Sequence, residues 1–467
     1  MLKLVTCTGG AGAAGAVGAW AFAGRGGAAS RACGEAPQVV TQWSVALGGW
    51  AKAKETAIAA RIATRGFMGL LIFDFQKYIR LKCGRAEMAF TFYEFFAGGG
   101  MARIGLGCEW RCTFANEWCE KKAASYRAYL GGSELKVDDV ANLRAEDLPG
   151  VPTLVWASFP CQDLSLAGSG AGLKGERSGT FTPFWKLVCE IIRQRRVPQI
   201  VVLENVVGAL SSHGGGDFTA LIDAMAQAGY RAGALVLDAI RFVPQSRPRL
   251  FIIGVQSNAS IPSGILSATP DEAWHTASVQ NAYSRLPRKL QKMWLWWTLP
   301  LPNFPVPPLS EIIEDEPAGV EWHTLEHTAR LVGLMSPLHA QKLEKAKRLG
   351  TRIIGTVYKR MRPGEDVRRV QRAEVRFDQI SGCLRTPAGG SSRQIIFVVE
   401  GKRIRSRLLS PREAARLMGV PEDYPLPQSY NEAYHLFGDG LAVPAVSWLE
   451  QHLLRTLATS CETRKAA

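Results

Sequence analysis

The feature that most constrains the fold is a regular alternation of apolar, β-like runs and helical patterns between residues 88 and 255. It begins at Met88 with "MAFTFYEFFAGGGMARIGLG", in which an aromatic run leads through glycines into a helical pattern. The runs "TLVWASFP", "QIVVLENV" and "PRLFIIGV" follow, with amphipathic stretches between them. Strands that alternate with helices form a mostly parallel sheet covered on both faces. The sequence therefore predicts an α/β fold.

The same patterns divide the chain into four predicted parts. Residues 1–87 are low in complexity and lack periodicity, so we expect them to be disordered or not translated, with translation starting at Met88. Residues 88–255 form the sheet domain. Residues 256–404 are rich in proline, tryptophan and basic residues, and form a smaller, irregular region. Residues 405–467 are helical and return to the sheet domain.

Composition narrows the class of partner and the compartment. The 467 residues carry a formal net charge of +15, which favours a polyanionic partner such as nucleic acid. Ten cysteines without a repeated CxxC do not indicate a disulfide framework, so a reduced, cytoplasmic protein is expected. Cys108, Cys112 and Cys119 match no common zinc spacing, and no metal site is predicted. Beyond the first quarter of the chain, no apolar run reaches the roughly 18 residues of a membrane span.

The glycine loop "FFAGGG" lies between a predicted strand and a predicted helix, where glycines let a ligand approach the backbone. Arg103 stands where the dinucleotide fingerprint has its third glycine, which argues against a nicotinamide dehydrogenase. Glu117 and Asp139 end the next two predicted strands and could accept hydrogen bonds from a ribose and an adenine amino group. Trp118 offers a flat face for a purine. The pattern predicts an adenosine-containing cofactor; the alternatives are a tight turn and solvated loop acids.

Cys161 follows the strand "TLVWASFP" and is either a small apolar residue or a nucleophile. A nucleophilic thiol needs a lowered pKa or an adjacent base. Glu204 and Asn205 end the next strand, and burying a glutamate there is costly unless it has a partner or a task. Arg247 and Arg249 are two residues apart, so on an extended segment they face the same way. They could hold a phosphate or the rim of a base; the alternative is a solvated arginine pair.

Seven motifs together, in this order, resemble the DNA (cytosine-5) methyltransferase family: "FFAGGG", "ANEW", "FPCQDLS", "LENV", "QSRPRLFIIG", "RLLSPREAARLMGVPEDY" and "FGDGLAVPAV". The resemblance covers roughly residues 88–455. It implies a Rossmann-like S-adenosylmethionine-dependent methyltransferase sheet with a smaller target-recognition domain. It also implies transfer of a methyl group from S-adenosylmethionine to C5 of a cytosine flipped out of duplex DNA, through a covalent adduct between a thiolate and cytosine C6.

The resemblance also implies a role for individual residues. Cys161 matches the nucleophile, and Glu204 matches the residue that holds cytosine N3 and the amino group. Arg247 matches the arginine that contacts the cytosine carbonyl, and Arg249 supports the same region. Asp439 stands where the family has an asparagine, and it can accept but not donate a hydrogen bond. The implied cofactor-binding residues are Phe96, Ala97, Gly98, Gly99, Gly100, Glu117, Trp118, Asp139, Val140, Pro160, Phe181, Asp439 and Leu441.

Residues 256–404 occupy the position of the family's target-recognition region, and "YKRMRPGEDVRRVQRAEVR" suits contacts to phosphates. The candidate DNA-binding residues are Gln162, Ser165, Gln245, Arg385, Ser391, Ser392, Arg393 and Gln394. The alternative is a solvated hairpin. The expected partner is double-stranded DNA, the expected state a monomer, and the expected location the prokaryotic cytoplasm, associated with the nucleoid through DNA. A separately acting restriction endonuclease is a possible second partner.

Two other functions remain open from the sequence. An RNA cytosine-5 methyltransferase of the same family would carry the same catalytic residues, although the long basic region favours duplex DNA. A catalytically silent DNA-binding homologue is the other, and intact Cys161, Glu204 and Arg247 argue against it.

Overall fold

The computed structural model of the chain describes residues 90–160, 179–364, 368–386 and 392–466. The predicted N-terminal extension therefore lies outside the described residues. So do four of the predicted site residues, which are Cys161, Gln162, Ser165 and Ser391.

The large sheet contains seven strands within the described residues, in the spatial order β3-β2-β1-β4-β5-β7-β6. They are β1 (Phe90–Phe95), β2 (Trp110–Glu117), β3 (Leu135–Val137), β4 (Leu154–Ala157), β5 (Ile200–Val206), β6 (Tyr230–Asp238) and β7 (Pro248–Gln256). Strands β1 to β5 pair in parallel, whereas β7 is antiparallel to both β5 and β6. The predicted α/β fold with a mostly parallel sheet is confirmed.

Apolar side chains on both faces explain why the central strands have few polar residues. Strand β4 is buried throughout, and its side chains alternate between two apolar clusters: Val155 packs in one and Trp156 in the other. Val201 and Val202 of β5 alternate in the same way. A strand covered on both faces reads as a continuous apolar run. Glu204 and Asn205 are therefore exceptions that need a local reason.

In the described part of the sheet region there are four α-helices, namely α1 (Met101–Leu106), α2 (Glu120–Leu130), α3 (Phe181–Arg193) and α4 (Gly216–Gln227). Helix α3 buries Phe184, Val188 and Ile191, whose spacing of three or four residues forms one apolar stripe. Helix α1 begins directly after the glycine loop, so it positions that loop at the edge of the sheet.

The second region is more regular than the sequence predicts. It contains α5 (Ala277–Arg285), α6 (Arg288–Gln291), α7 (Leu309–Ile312), α8 (Leu325–Gly333) and α9 (Pro337–Arg348), with the short strands β8 (Leu266–Ser267) and β9 (Trp296–Trp297). An antiparallel sheet in the order β11-β10-β12-β13 follows. Its strands are β10 (Arg352–Pro363), β11 (Arg369–Arg376), β12 (Ile395–Glu400) and β13 (Arg403–Leu408). Because β13 pairs with β12, the predicted boundary at residue 404 falls inside a strand.

The last segment supplies α10 (Pro411–Leu417), α11 (Tyr430–Asp439), α12 (Val443–Leu449) and α13 (Arg455–Ala466). Helix α10 begins with a capping box, in which the Ser410 hydroxyl accepts from the Glu413 N–H at 3.2 Å and Glu413 Oε2 accepts from the Ser410 N–H at 2.8 Å. Helix α12 packs against α1, where the Ser447 hydroxyl donates to the Gly105 carbonyl at 2.8 Å. Among the described helices, none is long and apolar enough to span a bilayer.

Candidate active site

One edge of the large sheet brings together the predicted cofactor-binding and catalytic segments. Strands β1 to β5 end there, and β7 begins there because it runs in the opposite direction. In open α/β sheets, ligands bind outside the carboxyl ends of the strands. The glycine loop, Glu117, Asp139, Pro160 and Glu204 all lie at this edge.

The glycine loop after β1 has a strained backbone and an open outer side. Phe96 has φ 59°, which is uncommon for a residue with a side chain, and Gly98 has φ 56°. A Cβ on Gly98 would meet no heavy atom within 4 Å, whereas a Cβ on Gly99 would lie 2.5 Å from the Tyr424 hydroxyl. The loop is therefore packed on its inner side by the C-terminal segment and exposes backbone on its outer side.

Glu117 holds the glycine loop at the end of β2. Its side chain is buried, and its carboxylate accepts from the Gly98 N–H at 2.8 Å and from the Cys119 N–H at 2.9 Å. Trp118, between these contacts in sequence, is 73% exposed. An exposed indole beside a fixed carboxylate has the chemistry to bind the purine and the ribose of an adenosine-containing cofactor.

Asp139 is exposed and caps the short 3₁₀ turn Val140–Asn142, with Oδ1 accepting from the Ala141 N–H at 2.9 Å. The described residues thus fit the adenosine group that the sequence predicts. Val140, Phe181 and Leu441 are buried in the apolar core, so their predicted contacts to the cofactor stay predictions.

Glu204 is the buried acid of the site, with 7% of its surface exposed. Its Oε1 lies 3.3 Å from Nε of Arg249, and the Ser158 hydroxyl also hydrogen-bonds to it. Burial raises the pKa of Glu204 above its usual value, although the charges of Arg249 and Arg247 and the Ser158 hydroxyl lower it in part. The sequence analysis did not identify Ser158. The available signal for it was its position two residues after the apolar Trp156, directly after the end of the same strand.

Asn205 fixes the segment that leads to Cys161. Its Nδ2 donates to the Phe159 carbonyl at 3.0 Å, while its Oδ1 accepts from the Val206 N–H at 2.9 Å. Pro160 follows Phe159 and is exposed. A rigid contact therefore joins the end of β5, where Glu204 lies, to the segment immediately before Cys161.

Arg247 has quite different partners from Arg249. It is 1% exposed, and its guanidinium donates to the carbonyls of Leu384 (2.7 Å), Gly438 (2.8 Å) and Gly440 (2.6 Å). It also donates to the Cys383 sulfur at 3.3 Å. Burial lowers the pKa of Arg247 to about 10, so the side chain stays charged at neutral pH. Arg247 thus joins the start of β7 to the second region and to the C-terminal end of α11.

Two predicted DNA contacts do not fit their placement. Gln245 and Gln394 are fully buried. Gln245 donates to the Leu417 carbonyl at 2.7 Å and accepts from the Leu384 N–H at 3.0 Å. Gln394 donates to the Val357 carbonyl at 3.0 Å. Both amides are used inside the protein, so a direct contact to DNA would require breaking buried hydrogen bonds.

The other described candidates lie nearer the surface. Arg385 is exposed, and Ser392 accepts from the Lys359 N–H at 2.7 Å. Arg393 is partly buried, donates to Asn431 and lies over the Tyr430 ring, with 5.5 Å between the guanidinium carbon and the ring centroid. Their predicted role in DNA binding stays a prediction.

A basic two-stranded ribbon extends from the small sheet next to this site. Beyond residue 357, the pairing of β10 that the described residues show is with β11, and Arg360 stands directly opposite Arg372. Arg362 lies on the same face of the ribbon and shares the Glu374 carboxylate with Arg360. Tyr358, at the base of this face, donates to the Cys383 carbonyl at 2.7 Å. The ribbon face is therefore connected through Cys383 to Arg247.

Comparison with known proteins identifies the family. The model of the C-5 cytosine-specific DNA methylase family matches residues 90–455. The chain belongs to this family. A curated relative, the type II methyltransferase M.HhaI of Haemophilus parahaemolyticus, is 25% identical over 364 residues, which cover 78% of this chain and 93% of the relative.

Other relatives have the same kind of name. The type II methyltransferase M.BsuFI of Bacillus subtilis is 25% identical over 360 residues, which cover 76% of this chain and 70% of the relative. The crystal structure of the S. pombe Dnmt2 methyltransferase aligns with a TM-score of 0.46 at 16% identity, covering 77% of this chain and 96% of that chain.

Proposed function

We propose that this protein is a DNA (cytosine-5-)-methyltransferase that modifies a cytosine within a specific duplex sequence. The observation that carries the proposal is the buried Glu204–Arg249 pair at the same sheet edge as the exposed Trp118 and the open glycine loop. Membership of the C-5 cytosine-specific DNA methylase family supports the reaction class. A base inside a duplex is out of reach of such an edge, so the target cytosine would be flipped into the site.

S-adenosylmethionine, when bound, would supply an electrophilic methyl group. Glu117 would hold its ribose, Trp118 would stack on its adenine, and Asp139 would accept from the adenine amino group. The glycine loop would cover the methionine part, since Gly98 leaves open space on its outer side. Helix α1 begins directly after this loop.

The Cys161 thiolate would add to C6 of the cytosine, breaking the aromaticity of the ring and raising the electron density at C5. Glu204, whose pKa burial raises, is suited to hold a proton at N3 during this attack. Loss of the C5 proton and β-elimination would then break the bond between sulfur and C6 and return the thiolate. Asn205 would position Cys161 through its contact to the Phe159 carbonyl.

We further propose that Arg249, rather than Arg247, faces the cytosine carbonyl. Arg249 lies beside Glu204, so it can neutralise charge that develops at the carbonyl oxygen. Arg247 is committed to three backbone carbonyls and would act as a structural clamp. This assignment exchanges the roles that the sequence predicts for the two arginines.

The names of the relatives suggest the biological setting. Several are bacterial type II methyltransferases, so we infer a role in a restriction-modification system or as a solitary methylase. A cytoplasmic monomer that acts apart from any cognate endonuclease would fit such a role.

The function is tested by transfer of tritiated methyl groups from S-adenosylmethionine to unmethylated duplex DNA. The wild type should transfer label, Cys161→Ser should not, and Cys108→Ser should behave as the wild type because Cys108 lies at the opposite edge of the sheet. Bisulfite sequencing of DNA from an expressing host gives the target sequence. Label that enters RNA but not DNA would support the RNA alternative, and a wild type without any transfer would support the silent homologue.

A further inference from the structure

Asp439, at the end of α11, contacts two distant parts of the chain at once. Its Oδ2 accepts from Lys122 Nζ at 2.8 Å, and its Oδ1 accepts from the Thr386 hydroxyl at 2.5 Å. Lys122 is on α2, four residues after the exposed Trp118, and Thr386 follows the exposed Arg385 of the second region. One carboxylate therefore connects the proposed cofactor site to the proposed DNA-binding region.

The partners explain why an acid occupies this position. Both Lys122 and Thr386 donate, and a carboxylate can accept from both while balancing the lysine charge. Burial acts to raise the pKa of Asp439, but Lys122 and the Thr386 hydroxyl outweigh it and lower the pKa below its usual value. The side chain thus stays ionised and paired at neutral pH.

The backbone around Asp439 is fixed by Arg247. The carbonyls of Gly438 and Gly440 accept from Arg247, which also donates to the Leu384 carbonyl. A Cβ on Gly438 would come within 3.0 Å of the Thr386 nitrogen, so the two segments are in close backbone contact. Movement of residues 384–386 would therefore be transmitted to residues 438–440 and, through Lys122, to α2.

We propose that Asp439 is a positioning residue that couples cofactor binding to DNA binding. This inference rests on the proposed function. When the cofactor fixes the Trp118 side chain beside α2, the Lys122–Asp439–Thr386 contacts hold residues 384–386 in place, and DNA then binds at a smaller entropic cost. Because such coupling is reciprocal, DNA should raise cofactor affinity by the same factor.

The chain contains a matched control. Lys121 and Glu432 also join α2 to α11 with an ion pair, at 2.8 Å. Glu432 lies near the start of α11, and its described contacts are to Lys121 and to the Ser429 cap. Glu432→Gln therefore removes an ion pair between the same two helices without touching the contact to Thr386.

The test is calorimetric titration of S-adenosylhomocysteine into the full chain, with and without a duplex that carries the target found by bisulfite sequencing. The ratio of the two affinities is the coupling factor. We expect Asp439→Asn and Thr386→Val to reduce this factor by about threefold or more. Thr386→Ser, which retains the hydroxyl, and Glu432→Gln should keep the wild-type factor.

Two results would overturn the inference. One is a wild-type factor of one, or an unchanged factor in both Asp439→Asn and Thr386→Val. The other is an equal reduction in Glu432→Gln, which would indicate a general effect of helix contacts. If the wild type binds S-adenosylhomocysteine in either case, the proposed function stands; if it binds none, the proposed function fails as well.

Discussion

Replacing Arg247 should mainly reduce stability, whereas replacing Arg249 should mainly reduce catalysis. Arg247→Met would leave the buried carbonyls of Leu384 and Gly438 and the partly buried carbonyl of Gly440 without this donor. A hydrogen bond to a charged group contributes about 1.5–3 kcal/mol, so the loss of three should cost about 5 kcal/mol. That is a large fraction of the stability of a typical domain. Because the entropy of unfolding grows with chain length, this loss should lower the thermal midpoint by roughly 6 °C.

Arg249→Met should change catalysis much more than stability. At 3.3 Å and an effective dielectric constant of about 20, the attraction between Arg249 and Glu204 is about 5 kcal/mol. Desolvation of the two groups offsets much of this, so the net loss of stability should be about 1–2 kcal/mol. Because Arg249 would stabilise charge on the reacting base, kcat should fall by about 100-fold or more.

The measurements are thermal unfolding followed by circular dichroism, and tritiated methyl transfer below the midpoint of each variant. Arg249→Lys keeps the charge and should recover part of kcat, which a purely structural role would not predict. The reasoning would be refuted if Arg247→Met unfolded within 2 °C of the wild type but lost activity, while Arg249→Met stayed active.

Three further predictions follow from single features of the protein. Glu94 lies within β1 and is buried, and burial raises its pKa from 4.5 to about 8. Its protonated form therefore favours the folded state, and stability should fall as pH rises from 4.5 through 8; Glu94→Gln should flatten the dependence of the thermal midpoint on pH in that window. Trp118→Ala should weaken S-adenosylhomocysteine binding by about tenfold through lost stacking, with an unchanged midpoint because the side chain is exposed, and titration calorimetry would check it. Replacing Arg360, Arg362 and Arg372 together with glutamine should reduce the slope of log affinity for DNA against log salt by about 2–3, measured by fluorescence anisotropy. An unchanged slope would exclude phosphate contacts by the ribbon.

Local patterns in the sequence were sufficient to predict the sheet and the edge at which the described candidate residues lie. Alternating apolar and amphipathic runs report which residues are buried within one strand or helix, and this does not depend on distant parts of the chain. The same patterns placed Glu117 and Glu204 at strand ends, where the structure has them. The regular second sheet was missed because three of its strands, β10, β11 and β13, are rich in arginine, and the pairing of β10 with the apolar β12 joins residues up to about 50 positions apart.

The different roles of Arg247 and Arg249 could not be predicted from local sequence patterns. A spacing of two residues indicates that Arg247 and Arg249 share a face only if both lie in the strand, but β7 begins at Pro248. Arg247 therefore precedes the strand, and its carbonyl partners are 137 to 193 residues away in sequence. The burial of Gln245 and Gln394 was not predicted for the same reason: a polar residue near a turn looks exposed until the segment that covers it is known.

The effect of Asp439, which departs from the family motif, also depends on residues that are distant in sequence. Judged alone, an acid in place of an asparagine loses a donor for the predicted contact to the cofactor. In the folded chain the position faces two donors, Lys122 and Thr386, so a carboxylate satisfies its surroundings better than an amide would. The consequence of the exchange therefore depends on residues 317 and 53 positions away. A chain with asparagine at this position should not need a lysine at position 122. Asp439→Asn alone should lower the thermal stability because it leaves Lys122 without its ion pair. Combining Asp439→Asn with Lys122→Met should restore part of that stability, because the unpaired lysine is then absent.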